Sequence, residues 1–136
     1  MSVFVREVFQ ADLAAAGAVV VPETPLGEAQ FDGTFTDIAL IPEAALVAAD
    51  ATARTLTIFN RGQAGAGTTV VATLVTNLAG GNWAANDEKA FTLSATPANL
   101  QFVTGDTFEC VESVAGAGTA RPTAQITGRG TSRALP

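Results

Sequence analysis

The sequence predicts an all-β protein, an antiparallel β-sandwich or jelly-roll-like barrel of about eight short strands with an extended N-terminal arm. Three observations lead to this class. Short runs rich in Val, Ile, Thr and Phe recur along the chain, Gly, Pro and Asn separate them, and no segment shows helical periodicity over a useful length. Runs of this kind bury one face of each strand, so two packed sheets are expected.

The segment from Arg54 to Thr76 carries the clearest pattern, and it predicts a β-hairpin. Leu56 and Ile58 fall on one face, whereas the residues between and after them fall on the other, which is a period of two. Three glycines, Gly62, Gly65 and Gly67, separate this run from the next one. The loop is longer than a tight two-residue turn, so it is expected to project from the sheet.

Further strands are predicted on both sides of this hairpin. Pro42 ends the first of them, and the others follow Gly-containing or Pro-containing turns; they cover Phe31–Ile41, Glu88–Ser94, Asn99–Val103, Thr107–Val114 and Thr123–Thr127. In the strand from Thr107, Glu112 shares a face with Phe108 and Cys110. Because an unpaired buried carboxylate costs too much free energy, a bulge near Val111 or a strand end is expected there.

The domain organisation is predicted as an arm and hinge over 1–29, a sandwich over 30–129 and a flexible tail over 130–136. Within the arm, Ser2–Phe9 is β-rich with apolar side chains on both faces, so it is expected to be either an inner strand or an arm that lies against a neighbouring subunit. Gln10–Gly17 is expected to form one or two helical turns and Val19–Val21 a short strand, with a hinge at Pro22–Gly27. Deleting residues 2–10 is therefore expected to leave the sandwich folded.

The charge balance is acidic, with 13 Asp and Glu against 7 Lys and Arg. A chain of this charge repels phosphate backbones, so nucleic acid is not expected as a partner. Eight acids precede Ala51, and after Glu112 there are no acids but three arginines, Arg121, Arg129 and Arg133. This asymmetry has two interpretations: a solvated tail, or acidic and basic ends that meet across subunits or on a partner.

Charged residues make up 15% of the chain and hydrophobic residues 48%. So little charge favours a protein that buries surface against copies of itself or a larger assembly. No apolar run reaches the roughly 20 residues that span a bilayer, and the first ten residues lack the pattern of a signal peptide. No membrane partner is therefore expected. The protein is expected to be made in the cytoplasm.

Chemistry-bearing groups are sparse, and no enzyme, metal or cofactor site is predicted. Cys110 is the single cysteine and no histidine is present, so a core role is favoured over a reactive thiol. The Gly62–Thr69 segment lacks the lysine of a phosphate loop. Asn86–Glu88 and Asp106 lack the spacing of a calcium loop, and Trp83 is favoured as a folded loop residue over a sugar platform.

A series of segments resembles the head decoration, or capsid cement, proteins of tailed bacteriophages. The resemblance covers about residues 38–127 and is carried by Ile41–Leu46, Arg54–Gly62, Gly65–Val71, Asp87–Ser94 and Asn99–Asp106. It implies a non-enzymatic protein on the outer surface of a capsid, a homotrimer whose partner is the major capsid protein. The first 30 residues lie outside the matching region.

The contacts with the capsid or with other subunits are predicted at the two chain ends, where apolar and basic side chains occur together. The candidates are Val3, Phe4, Val5, Arg6, Phe9, Arg129 and Arg133. Two alternatives belong to other classes: a tail or fibre component of the same virion, and a carbohydrate-binding β-sandwich that uses Trp83.

Overall fold

A computed structural model describes residues 4–133, which form ten β-strands and a single 3₁₀ turn at Pro97–Leu100. No helix within this range is long and apolar enough to cross a membrane. The strands are β1 (Val5–Leu13), β2 (Glu23–Glu28), β3 (Gly33–Pro42), β4 (Arg54–Gly62), β5 (Thr69–Val75), β6 (Lys89–Ala90), β7 (Thr92–Leu93), β8 (Gln101–Phe102), β9 (Thr107–Val114) and β10 (Ala124–Ser132).

The strands form two antiparallel sheets, which confirms the all-β sandwich class. The first sheet has the order β1-β10-β3-β6, with β8 also paired to β3, and the second has the order β2-β9-β4-β5-β7. Neighbours in space are mostly distant in sequence, as in jelly-roll and Greek-key arrangements. The predicted hairpin of β4 and β5 is confirmed, and Leu56 and Ile58 are fully buried on its inner face.

The two sides of the sandwich differ. On one side, residues 89–93 cross from the first sheet to the second, because β6 pairs with β3 and β7 pairs with β5. Phe91 lies at the crossing point, is buried, and donates its backbone N–H to the carbonyl of Ile38 at 2.8 Å. On the other side, β1 and β2 are free edges. Exposed acids on both of these strands discourage pairing with another edge.

Phenylalanine rings form the centre of the core between the sheets. Phe35 packs against Phe102 and Phe108, with ring centroids 4.8 and 5.2 Å apart. Phe9 joins this cluster at 5.9 Å from Phe35 and 5.6 Å from Phe108. Gly128 makes room for the Phe9 ring, since a Cβ at this glycine would lie 2.5 Å from a ring carbon. The cluster therefore joins strands of both sheets.

The N-terminal segment departs from the predicted arm and hinge. β1 pairs with β10 from Val5 to Leu13, and β2 pairs with β9, so residues 5–28 supply one edge strand to each sheet. The predicted helical turns at 10–17 are wrong because β1 continues to Leu13, and Val19–Val21 is a loop without strand pairing. Since Phe9 is part of the core, deleting residues 2–10 is expected to unfold the sandwich.

The C-terminal boundary also differs from the prediction. β10 continues to Ser132, pairs with both β1 and β3, and has a register shift between Arg129 and Gly130. The residues from Gly130 to Ser132 are therefore part of the first sheet and not of a tail. The predicted strand at 99–103 is reduced to the two residues of β8 after the 3₁₀ turn.

Apart from the connection 94–100, the connections between the longer strands lie at two opposite ends of the sandwich. The loop end consists of the connections 14–22, 43–53, 76–88 and 115–123. The terminal end holds the first and last described residues, together with the connections 29–32, 63–68 and 103–106. Both ends carry exposed apolar side chains.

Candidate interaction surfaces

The terminal end brings together four of the predicted contact residues. Phe4 and Val5 are 72% and 58% exposed, and Arg6 and Arg133 are also exposed. Val5 pairs with Thr131 in the sheet, which places the start of β1 beside the end of β10. Val3 lies outside the described residues. The surface therefore combines exposed apolar side chains with two arginines, next to the exposed carboxylate of Asp32.

Backbone and side-chain contacts hold the two arginines of this end in place. The guanidinium carbon of Arg6 lies 4.2 Å from the ring centroid of Phe31, a cation–π contact. Arg133 donates its Nη2 to the carbonyl of Phe102 at 3.0 Å and its backbone N–H to the carbonyl of Asp32 at 3.0 Å. Neither arginine has a carboxylate within 4.0 Å among residues 4–133.

Asp32 closes the adjacent turn at this end. Its Oδ1 accepts hydrogen bonds from the backbone N–H of Thr104 at 2.8 Å and from the Thr104 hydroxyl at 3.2 Å. The backbone hydrogen bond, followed by the hydroxyl, lowers the pKa of the Asp32 carboxyl because both donors favour the ionised form. Asp32 therefore fixes the connection 103–106 beside the exposed apolar residues.

Phe9 is not a surface residue, contrary to its place among the predicted contacts. Its ring is 3% exposed and packs against Phe35 and Phe108. The register shift in β1 between Glu7 and Phe9 explains the difference. The shift makes Val8 and Phe9 both buried, so simple alternation along the strand does not place the ring.

Arg129 lies on the outer face of the first sheet and is engaged within the chain. Its Nε is 3.2 Å from Asp37 Oδ2, although without hydrogen-bond geometry, and its Nη2 is 3.9 Å from Glu88 Oε2. The arginine-bearing end and the acidic half of the chain thus meet inside one molecule at this point. Arg129 is correspondingly less available to a partner than Arg6 or Arg133.

A buried ionic cluster of Arg54, Glu112 and Arg121 lies beneath the loop end. The side chains of all three residues are fully buried. Glu112 accepts hydrogen bonds from Arg121 at 2.6 and 2.9 Å and from Arg54 Nη1 at 3.2 Å. The register of β9 with β4 is regular here, so the predicted bulge near Val111 is wrong. Two arginines compensate the carboxylate instead.

The remaining donors of this cluster bind backbone carbonyls of two loops at the loop end. Arg54 donates to the carbonyls of Gly17 at 2.7 Å, Val20 at 2.8 Å and Thr119 at 2.9 Å. Arg121 donates to the carbonyl of Ala14 at 2.9 Å. The cluster therefore joins the connections 14–22 and 115–123 to the strands below them. In the sequence, the only sign of this cluster was that Glu112 shares a strand face with Phe108 and Cys110.

The loop end carries half of the ten large hydrophobic side chains that are exposed in the described part of the chain. Three of them are consecutive in the β1–β2 connection, and one each lies in the β3–β4 and β5–β6 connections: Val19, Val20, Val21, Val47 and Leu78. The β3–β4 and β5–β6 connections are also joined, since Asp50 Oδ1 accepts the backbone N–H of Leu78 at 2.9 Å.

Trp83 is a core residue of the loop end, as the sequence favoured. It is 2% exposed, and its backbone forms two hydrogen bonds with Leu46, at 2.9 and 3.1 Å. A buried indole cannot stack on a sugar ring, so the carbohydrate-binding alternative loses the residue on which it depended.

The carboxylates considered for calcium do not converge. Asp87 and Glu88 are exposed at the loop end, whereas Asp106 is buried at the terminal end. There, Asp106 Oδ2 accepts the backbone N–H of Val103 and the side-chain amide of Asn60, both at 3.0 Å. Asp106 therefore stabilises a turn.

A groove of about 430 Å³ lies between β5, the crossing residues 89–93 and the start of the β5–β6 connection. Thr73, Thr92, Asn77 and Lys89 supply its polar atoms. Lys89 is the one titratable side chain in the lining, so no pair of acid and base faces this groove.

Cys110 is fully buried in the second sheet, as predicted. Burial, followed by the nearby Glu112 carboxylate, raises the pKa of its thiol to about 12 because both disfavour the thiolate. The native protein is therefore expected to resist a thiol reagent at pH 8 and to react fully after denaturation, as measured by absorbance with a disulfide-exchange reagent. Rapid labelling of the folded protein would contradict this expectation.

No protein family model matches the chain, and no curated protein matches it. Among solved structures, it is similar to the infectious bursal disease virus Gx strain, with 16% identity, a TM-score of 0.40, and coverage of 97% of this chain and 32% of that one. The VP2 subviral particle of the same virus has 14% identity, a TM-score of 0.31, and coverage of 98% and 38%. Its T13 particle has 15% identity, a TM-score of 0.31, and coverage of 98% and 36%. The chain thus spans about a third of the length of these chains.

Proposed function

We propose that this chain is a non-enzymatic structural protein of a phage virion, which decorates and stabilises the outer surface of the capsid as a homotrimer. The proposal begins from the resemblance to head decoration proteins between residues 38 and 127. A protein of this kind needs a stable body and a docking surface, and the two-sheet sandwich with its aromatic core meets the first need.

The terminal end is the observation that carries the proposed docking to the capsid. Phe4 and Val5 expose apolar surface, and Arg6 and Arg133 supply positive charge without a carboxylate within 4.0 Å in residues 4–133. Exposed cations are uncommon in this acidic chain, and this pair lies beside exposed apolar side chains. The chemistry fits an apolar shell surface with acidic groups around it.

Valency makes a small contact of this kind sufficient. Several identical subunits that bind neighbouring shell sites gain apparent affinity, because the second and third contacts form at a high effective concentration. A trimer could therefore bridge capsid subunits even if a single copy binds weakly.

Co-sedimentation with capsids that lack this protein tests the proposal. Wild type is expected to bind saturably, with one copy or one trimer per repeating shell site. The double variant Phe4→Asp, Arg6→Glu is expected to lose at least about tenfold in apparent affinity, because it reverses the charge and removes apolar area. The matched control is Val47→Asp, which alters a similarly exposed side chain at the opposite end.

Two outcomes would contradict the proposal. Equal binding of the double variant and the control would remove the terminal end as the docking surface. A lack of binding to capsids, with the protein located on tails by electron density, would favour the alternative of a tail or fibre component.

A further inference from the structure

We infer that the groove of about 430 Å³ beside β5 binds an extended peptide segment that carries a carboxylate. The groove lies between the last residues of β5 and β6, next to the start of the connection 76–88. None of the residues that line it belongs to the terminal end, so the inference does not depend on the proposed role on a capsid.

The groove exists because residues 89–93 leave β5 as they cross between the sheets. β7 pairs with β5 only at Ala72 and Thr73. In the same register Val75 would lie opposite Ala90, but at this point β6 pairs with β3 of the other sheet. The two strands therefore separate, and a wedge opens between Val75 and Ala90.

Both walls of the groove turn backbone hydrogen-bonding groups toward it. The N–H of Thr76 donates to a carbonyl of β4 at 2.9 Å, so the backbone groups of the preceding Val75 point away from β4, because successive residues of a strand face opposite neighbours. In the same way, the N–H of Phe91 donates to a carbonyl of β3 at 2.8 Å, so the backbone groups of Ala90 point away from β3. On the groove side, no strand within residues 4–133 pairs with Val75 or Ala90.

Lys89 adds a positive charge that the chain does not compensate. Within residues 4–133, its Nζ makes a single hydrogen bond, a long one of 3.5 Å to the carbonyl of Gly80, and has no carboxylate within 4.0 Å. The two preceding acids do not supply one, since Glu88 lies 3.9 Å from Arg129 and Asp87 is exposed without an ion pair to Lys89. A carboxylate is therefore the group that complements this groove.

These features together favour an extended peptide over a small anion. The N–H and C=O groups of an extended chain match the same groups on the two walls, as when a strand adds to a sheet edge. The side chains of Thr73, Thr92 and Asn77 line the same space and offer hydrogen bonds to polar side chains of the segment. A free anion would use Lys89 alone. The carboxylate can belong to an acidic side chain or to a chain terminus.

A nuclear magnetic resonance titration of the isotope-labelled full chain tests the inference, because it detects even weak binding. The probe is the peptide Thr-Val-Asp-Val-Thr, acetylated and amidated at its ends, and its matched control carries Asn in place of Asp. The Asp peptide is expected to shift the amide signals of Val75 and Ala90 saturably. It is expected to bind about fivefold more tightly than the Asn peptide, because it gains one exposed ion pair with Lys89. A third peptide, the Asn form with a free carboxyl terminus, shows whether a chain terminus replaces the acidic side chain.

Variants of Lys89 assign the preference for the carboxylate to its ammonium group. Lys89→Gln is expected to abolish the difference between the Asp and Asn peptides, whereas Lys89→Arg is expected to retain it. High salt is expected to reduce the difference, since the pair is accessible to solvent.

Four results would overturn the inference. The first two are a lack of shifts at Val75 and Ala90, and equal affinity for all three peptides. The third is that acetate alone produces the same shifts, which would leave a site for a free anion. The fourth is that the two amide signals disappear with rising protein concentration in the absence of peptide, which would place a second copy in the groove.

Discussion

Glu112→Gln is expected to lower the free energy of unfolding by about 3–5 kcal/mol, because it leaves two buried guanidinium groups without a counter-charge. Arg54 and Arg121 both donate to this carboxylate, and all three side chains are fully buried. Glutamine keeps the shape and the acceptor oxygen, so the loss reports charge and not volume. The measurement is urea denaturation followed by Trp83 fluorescence.

The control for this experiment lies on the same strand. Glu109 pairs with Arg61 at 2.8 Å on the outer face of the second sheet, where both side chains are about a fifth exposed. Glu109→Gln is expected to cost about 1 kcal/mol or less, since solvent already screens this pair. If both variants lost a similar free energy of unfolding, burial of the cluster would add nothing to its contribution to stability.

Phe108→Ala is expected to lower the free energy of unfolding by about 3–5 kcal/mol through the cavity it leaves between the two sheets. The ring is 1% exposed and packs against Phe9, Phe35 and Phe102, with centroids between 5.2 and 6.1 Å away. It therefore contacts β1, β3 and β8 from β9, and the loss spreads over both sheets. Denaturant titration of the variant against wild type measures the effect.

Phe4→Ala is the matched control, because the same ring is removed from a site that is 72% exposed. A change within about 0.5 kcal/mol is expected, as for surface substitutions in general. If Phe108→Ala had an equally small effect, the aromatic cluster would not be the centre of the core.

The local pattern of the chain was sufficient for the fold class and for most strands between Phe31 and Val114. Alternation placed Leu56 and Ile58 inside, and Pro42 ended β3 where expected. These features depend on neighbours in sequence, because side-chain period and proline geometry are local properties.

The ends of the chain were misjudged for a nonlocal reason. β1 and β2 gain stability from β10 and β9, which lie about a hundred residues away in sequence. Prolines and glycines in residues 22–27 resemble a hinge, but an edge strand accepts Pro25 because one side of it has no hydrogen-bond partner. Phe9, one of the predicted contact residues, lies in the core because the pairing of β1 with β10 has a register shift between Glu7 and Phe9.

The sequence by itself determined the two-sheet class, the central hairpin and the core position of Cys110, since each follows from alternation and composition. Alternation also put Glu112 on the inner face, but a bulge or a strand end was wrongly expected to turn its carboxylate away. Only the tertiary structure decided which residues surround Glu112. Arg54 and Arg121 lie 58 and 9 positions away along the chain, and strand pairing brings them to one buried site. The connections 14–22 and 115–123 above that site meet for the same reason, because strand pairing between β1 and β10 brings them together.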